Sequence, residues 1–155
     1  MPAFKACVLG EAGVGKTTLI KMLQNESLNG PRKPTIGVNI EKVGLDNGNC
    51  CMWDLAGQRR FQFMWNEFIK GSQLNIVVTD STVKNVMLTK DLIERHLTTS
   101  AAKIIAIANK QDMEGHMNPE DIQAALGVPT FGLVGTDIHN HDALRKIIEA
   151  HLNQE

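Results

Sequence analysis

This 155-residue chain predicts an open α/β sheet, mostly parallel, with helices on both faces and one antiparallel edge strand. Three observations lead there. Short apolar runs without polar alternation recur between amphipathic helical patterns, and strands of that kind need cover on both faces. Two of the runs are joined by Asp46-Asn47-Gly48, and Asn-Gly tolerates the positive φ of a tight hairpin, so that pair is expected antiparallel. No internal repeat, low-complexity tract or interdomain linker breaks the alternation, which gives a single domain over residues 1–155 with about six strands.

In order along the chain, Phe4 to Leu9 reads as a buried strand. Lys16 to Gln24 reads as a helix with Leu19, Ile20 and Leu23 on one face. Asn25 to Pro34 is a loop carrying Gly30, Pro31 and Pro34. Val38 to Leu45 and Asn49 to Leu55 form the hairpin, the first being the antiparallel edge strand. Leu74 to Thr79 and Lys103 to Ala108 are continuous apolar strands, and Phe131 to Val134 is a last short one. Helices are expected at Met87 to Leu97, Pro119 to Leu126 and Ala143 to Leu152. Ligands of such sheets sit at the C-terminal ends of the strands, so the chemistry should gather in the loops that follow them.

Composition narrows the function. With 43% hydrophobic and 21% charged residues, the chain is ordinary for a globular protein rather than a disordered one. A formal net charge of -1 gives no electrostatic reason to expect nucleic acid or an anionic membrane as partner. Cys7, Cys50 and Cys51 are odd in number, and the adjacent pair should face opposite ways, so buried free thiols in a reducing, cytoplasmic setting are expected. His139 and His141 lie close together without a cysteine or carboxylate cluster and read as loop or helix-edge residues. Pro2 stands where N-myristoylation needs glycine, and the C-terminus offers no cysteine to prenylate, so no intrinsic membrane anchor is expected.

Gly10-Glu11-Ala12-Gly13-Val14-Gly15-Lys16-Thr17 matches GxxxxGK[ST] in full, between a predicted strand and a predicted helix. Glycines let the backbone wrap a polyphosphate and aim N–H groups inward, and the helix adds its positive dipole end. Residues Gly13, Val14, Gly15, Lys16, Thr17 and Thr18 are therefore the phosphate-binding candidates, with Lys16 reaching the β- and γ-phosphates and Thr17 placing its hydroxyl on Mg²⁺. Asn109-Lys110-Gln111-Asp112 follows a buried strand. One carboxylate, Asp112, can accept both donors on guanine's N1/2-amino edge, a pair adenine lacks. The Asn109 amide can serve the purine's other edge, and the Lys110 stem can lie on the ring. Trp53-Asp54-Leu55-Ala56-Gly57-Gln58 follows the hairpin. Asp54 is suited to hold Mg²⁺ through water, Gly57 to approach the γ-phosphate, and Gln58 to orient the attacking water. Thr35 can offer Mg²⁺ a second hydroxyl.

These motifs resemble the Ras superfamily of small GTPases, and most closely its Arf and Arf-like branch. Pro34-Thr35-Ile36-Gly37-Val38-Asn39-Ile40-Glu41 is similar to that branch's switch I, Trp53-Asp54 with Gly57-Gln58 and Trp65 to its interswitch and switch II, and Asn109-Lys110-Gln111-Asp112 to its base motif. The likeness runs from Phe4 to Leu152. It implies a P-loop NTPase (Ras-like G domain) fold, GTP/GDP and Mg²⁺ as ligands, and effectors, exchange factors and activating proteins acting through switch I (26–40) and switch II (56–71). Ala56-Gly57 replaces the branch's two glycines, and Val38 stands where its aromatic triad, here completed by Trp53 and Phe68, has an aromatic. Gly135-Thr136-Asp137-Ile138 is the best match to the last guanine-contacting loop, through Asp137 and Ile138.

The implied reaction is slow hydrolysis of GTP, on the order of 10⁻⁴ to 10⁻² s⁻¹ without a partner, with Gln58, Lys16, Thr35 and Arg32 as catalytic candidates. Arg32 lies three residues before Thr35, the offset of an arginine finger supplied in cis, or it is a solvated loop cation beside Lys33. A non-hydrolysing GTP-binding scaffold leaves Gln58 and Thr35 without purpose, and a small P-loop kinase or ATPase leaves Asn109 to Asp112 without one. Phe61, Trp65, Phe68 and Ile69 would share a helical face turned to the core, with Phe63 pointing outward as a partner contact.

Overall fold

Side chains along each central strand divide between two cores, and that division sets the layers of the molecule. The structure, a computed structural model, describes residues 3–24, 38–57, 59–134 and 140–152. Six strands among them form one sheet: β1 (Ala3–Leu9), β2 (Val38–Leu45), β3 (Gly48–Leu55), β4 (Leu74–Thr79), β5 (Lys103–Ala108) and β6 (Thr130–Gly132), in the order β2-β3-β1-β4-β5-β6. β2 runs antiparallel to β3, and every other adjacent pair is parallel. The antiparallel edge strand is thus where the hairpin signal put it.

The helices are α1 (Lys16–Leu23), α2 (Trp65–Ile69), α3 (Val83–His96), α4 (Pro119–Leu126) and α5 (His141–Leu152), and a 3₁₀ segment, Arg59–Met64, leads into α2. Phe4, Ala6 and Val8 of β1 meet α1 and α5 in one core. Cys7 and Leu9, one position out of step, meet α2, α3 and α4 in the other. Strands covered on both sides can be continuously apolar, which is why β4 and β5 read that way. Ala106 and Ala108 face the second core while Ile105 and Ile107 face the first.

Most boundaries fall within two residues of expectation, α5 for one beginning at His141 rather than Ala143, and three differences have a local reason. α3 begins at Val83 rather than Met87 because Thr82 caps it, its hydroxyl accepting from the Asn85 N–H at 3.1 Å. Val83 and Met87 are apolar yet exposed, and Val86 is the apolar residue of the first turn that is buried. β6 covers Thr130–Gly132 rather than 131–134, because the Ala106 N–H already pairs with the Pro129 carbonyl at 2.8 Å. In the hairpin the positive φ falls on Gly48, at 140°, and Leu45 pairs with Gly48, so Asp46-Asn47 makes the turn. That turn is held from α5: the Asp46 N–H donates to Glu149 Oε2 at 2.6 Å and Asn47 Nδ2 to the Glu149 carbonyl at 3.2 Å. Arg145 Nη1 donates to the Gly44 carbonyl beside it.

The thiols are free, with Cys7 and Cys50 buried and Cys51 half-buried. Burial pushes the Cys7 thiol up to about 11 and the Cys50 thiol up to about 12, leaving both inert at neutral pH. Trp65 and Ile69 are buried, as the shared face requires, and Phe68 is half-buried with its ring 5.8 Å from Trp53. Val38 packs against the same cluster. Phe63 is 78% exposed, so it points away as expected, while the Phe61 side chain lies outside the described residues. His141 opens α5 half-buried; His139 lies outside the described residues.

Candidate active site

The loops after β1, β3, β4 and β5 share one end of the sheet, as parallel strands demand. After β1 the chain wraps through Gly10–Gly15 into α1, with Gly13 at φ 85° and Gly15 at φ 105°, left-handed values that favour glycine. A Cβ on Gly10 would stand 2.7 Å from the Val78 carbonyl of β4, and one on Gly15 would strike the Asn109 amide. The loop is therefore tight against β4 at Gly10 and against the base-reading segment at Gly15, with no room for a larger side chain at either position.

Lys16 is buried, with its Nζ curled back to the carbonyls of Gly10 at 3.3 Å and Glu11 at 3.4 Å. Burial lowers its pKa, and the Asp54 and Glu11 carboxylates oppose that shift. A buried ammonium held at the phosphate loop suits several phosphate oxygens at once. The Thr17 hydroxyl donates to Asp54 Oδ2 at 2.6 Å, so the first turn of α1 and the end of β3 meet on two oxygen atoms. Asp54 is 1% exposed, which makes its carboxylate costly unless a cation or donors face it. Val14 and Thr18 are buried beneath the loop.

Gly57 presses on the phosphate loop from the other side. A Cβ there would lie 2.6 Å from Ala12 N and 2.7 Å from both Glu11 C and Gly10 O. In the base-reading segment, Lys110 has φ 60° and reaches back so that Nζ donates to the Gly13 carbonyl at 3.0 Å, laying its stem across the site. Asn109 Nδ2 donates to the Val14 carbonyl at 2.9 Å. One hydrogen of the Asn109 amide thus shapes the phosphate loop, and the amide's second N–H and its oxygen are the groups that could serve a purine edge. Asp112 stands exposed on the same loop, open to a ligand.

Lys16, Thr17, Asp54, Gly57, Asn109, Lys110 and Asp112 therefore gather at one end of the sheet. Thr35, Arg32, Gln58, Asp137 and Ile138 lie outside the described residues, as does most of switch I. Sequence reasoning missed a supporting set. Ser81, at φ 71° after β4, donates its hydroxyl to the Asn109 carbonyl at 2.6 Å, and Gln111 Nε2 donates to Ser81 Oγ at 2.8 Å and to the Met117 carbonyl at 3.0 Å. Gln62 Nε2 donates to the Gly57 carbonyl at 3.1 Å and lies 3.3 Å from Glu11 Oε2, and Trp65 Nε1 donates to the Ala56 carbonyl at 3.0 Å. A buried indole N–H needs an acceptor, so Trp65 was the one member with a readable signal.

The profile of the ADP-ribosylation factor family matches residues 2–148. The chain belongs to the ADP-ribosylation factor family. It is accordingly a GTP-binding small GTPase, a GTP hydrolase. ADP-ribosylation factor-like protein 5 of Caenorhabditis elegans is 32% identical over 133 residues, 83% of this chain and 74% of the relative. The Dictyostelium discoideum protein of that name is 34% identical over 130 residues, 81% of this chain and 70% of the relative. Among solved structures, the Arl6 BBS3 small GTPase of Trypanosoma brucei, with the bound nucleotide analogue GppNp, superposes with a TM-score of 0.77 at 18% identity, covering 98% of this chain and all of the other. That likeness fixes the G-domain fold, and the six-stranded mixed sheet agrees with it.

Proposed function

We propose that this ADP-ribosylation factor relative is a magnesium-dependent molecular switch, whose loops around Thr35 and Gly57 adopt one arrangement with GTP and another with GDP. The observation that carries the reading is the approach of Thr17 Oγ1 to Asp54 Oδ2 at 2.6 Å beneath the glycine loop. A hydroxyl and a carboxylate are hard oxygen donors that fit Mg²⁺, which keeps several waters and takes few protein ligands. Thr17, Asp54 and Thr35 would hold it, and the ion would supply positive charge against the phosphate oxygens.

The chain's own groups divide the remaining work. Lys16 and the N–H groups from Gly13 to Thr18 bind the polyphosphate. Asp112 reads guanine while Lys110 covers the ring, with Asp137 and Ile138 completing the base pocket. Gly57 meets the γ-phosphate, Gln58 orients the attacking water, and Arg32 stands where a cation could meet the transition-state charge. The GppNp bound to the Trypanosoma brucei relative supports a guanine triphosphate as the ligand. Loss of the γ-phosphate releases both loops, and effectors, exchange factors and activating proteins read the change. The three free thiols support a cytoplasmic setting.

The test is single-turnover GTP hydrolysis at saturating Mg²⁺, comparing wild type with Gln58→Leu. Conversion to GDP by wild type, slowed at least about tenfold in the variant, is expected. GTP persisting equally in both would favour a non-hydrolysing scaffold.

A further inference from the structure

A trans peptide is rigid and planar, so the carbonyl of one residue and the N–H of the next point to opposite sides of one plate. The Ala56 carbonyl and the Gly57 N–H share such a plate, and the Gly57 carbonyl opens the plate that leads into Gln58. Both carbonyls are gripped by side chains from the segment downstream. Trp65 Nε1 holds Ala56 O at 3.0 Å, and Gln62 Nε2 holds Gly57 O at 3.1 Å. Trp65 is fully buried and Gln62 is 5% exposed, so neither bond competes with bulk water. Gln62 Nε2 also lies 3.3 Å from Glu11 Oε2, which ties the same amide to the phosphate loop.

We infer that Gln62 and Trp65 are positioning residues for γ-phosphate recognition. Trp65 fixes the plate that aims the Gly57 N–H, Gln62 fixes the plate that leads to Gln58, and Gln62 couples both settings to the phosphate loop through Glu11. Packing alone does not account for Gln62, because an apolar side chain of its length would fill the space without the cost of burying an amide. Nor does it account for the choice of partners, since the two carbonyls are successive members of the Asp54–Gly57 motif. The inference rests on reading Gly57 as the γ-phosphate contact and deepens that reading.

The test uses full-length protein and the ratio of GTP to GDP affinity with Mg²⁺, because a structural defect weakens both nucleotides while a γ-phosphate defect weakens only one. Gln62→Met keeps length without donors, and Trp65→Phe keeps an aromatic ring without the N–H. Each is expected to lower the ratio at least about tenfold, by the magnitude of losing aligned donors. Gln62→Lys, which restores a donor within reach of Glu11 and Gly57, should keep the ratio within about threefold of wild type. Gly57→Ala is measured alongside. If Gly57→Ala lowers the ratio and Gln62→Met and Trp65→Phe do not, the positioning role is wrong while Gly57 keeps its own. If Gly57→Ala leaves the ratio unchanged, Gly57 does not read the γ-phosphate and the inference falls with it.

Discussion

The phosphate loop and the segment after β3 close on the same place but are held in opposite ways. The phosphate loop takes its shape from its own glycines, then is locked from far along the chain: Asn109 reaches Val14 across 95 positions and Lys110 reaches Gly13 across 97. The segment after β3 is held by neighbours, Gln62 five positions after Gly57 and Trp65 nine after Ala56. A loop pinned by distant, rigid strands suits a permanent binding cradle. A loop pinned by its own next turns can move as a unit with them, which is what a switch needs. Gly57 is where the two meet.

The contrast is broken most severely at that contact. Gly57→Ala puts a Cβ within 2.7 Å of phosphate-loop backbone, which cannot rotate away as a side chain can. GTP affinity should fall by on the order of a hundredfold with GDP affinity far less affected, the scale of a displacement of about 1 Å at a reacting site. Titration with both nucleotides checks this; equal losses for the two would mean that Gly57 does not read the γ-phosphate and acts only on the shape of the cradle.

A smaller effect is expected at the far end of the sheet, where α5 rather than a neighbour fixes the hairpin turn. Glu149→Ala removes the acceptor of the Asp46 N–H. Stability should drop by about 1 kcal/mol, seen as a lower urea midpoint with unchanged slope. An unaltered midpoint would show that the turn holds itself. Smallest of all is Phe63→Ala, because the ring is 78% exposed. Thermal unfolding should move by the equivalent of no more than about 0.5 kcal/mol, while affinity for proteins that read the triphosphate state drops. A large loss of stability would place the ring inside a packed surface instead.

Much of the site was legible because its chemistry needs adjacent residues. Gly10 to Thr17 must be contiguous to curl around phosphates, and Asp54 to Gly57 and Asn109 to Asp112 each occupy one strand end. Asp112, Lys110 and Thr17 stand where those strings put them. The first turn of α3 was not legible, since Val83 and Met87 are apolar yet exposed and the start is set by the Thr82 cap. Ser81 and Gln111 were not legible either: serine and glutamine are common, and only the adjacency of β4 and β5 brings their side chains to 2.8 Å. The bond from the Asn109 amide to the Val14 carbonyl was not legible, because the two are near each other only once β1 and β5 share a sheet.

The sequence by itself determined the order of strands and helices, the antiparallel edge, the nucleotide motifs and the family, because periodicity and contiguous motifs act over a few residues and survive without coordinates. The tertiary structure alone decided which carbonyls Gln62, Trp65, Asn109 and Lys110 hold, and that α5 anchors the hairpin turn. Those bonds depend on distances of a few ångströms between groups whose spacing in sequence carries no signal, and only the packed sheet sets those distances.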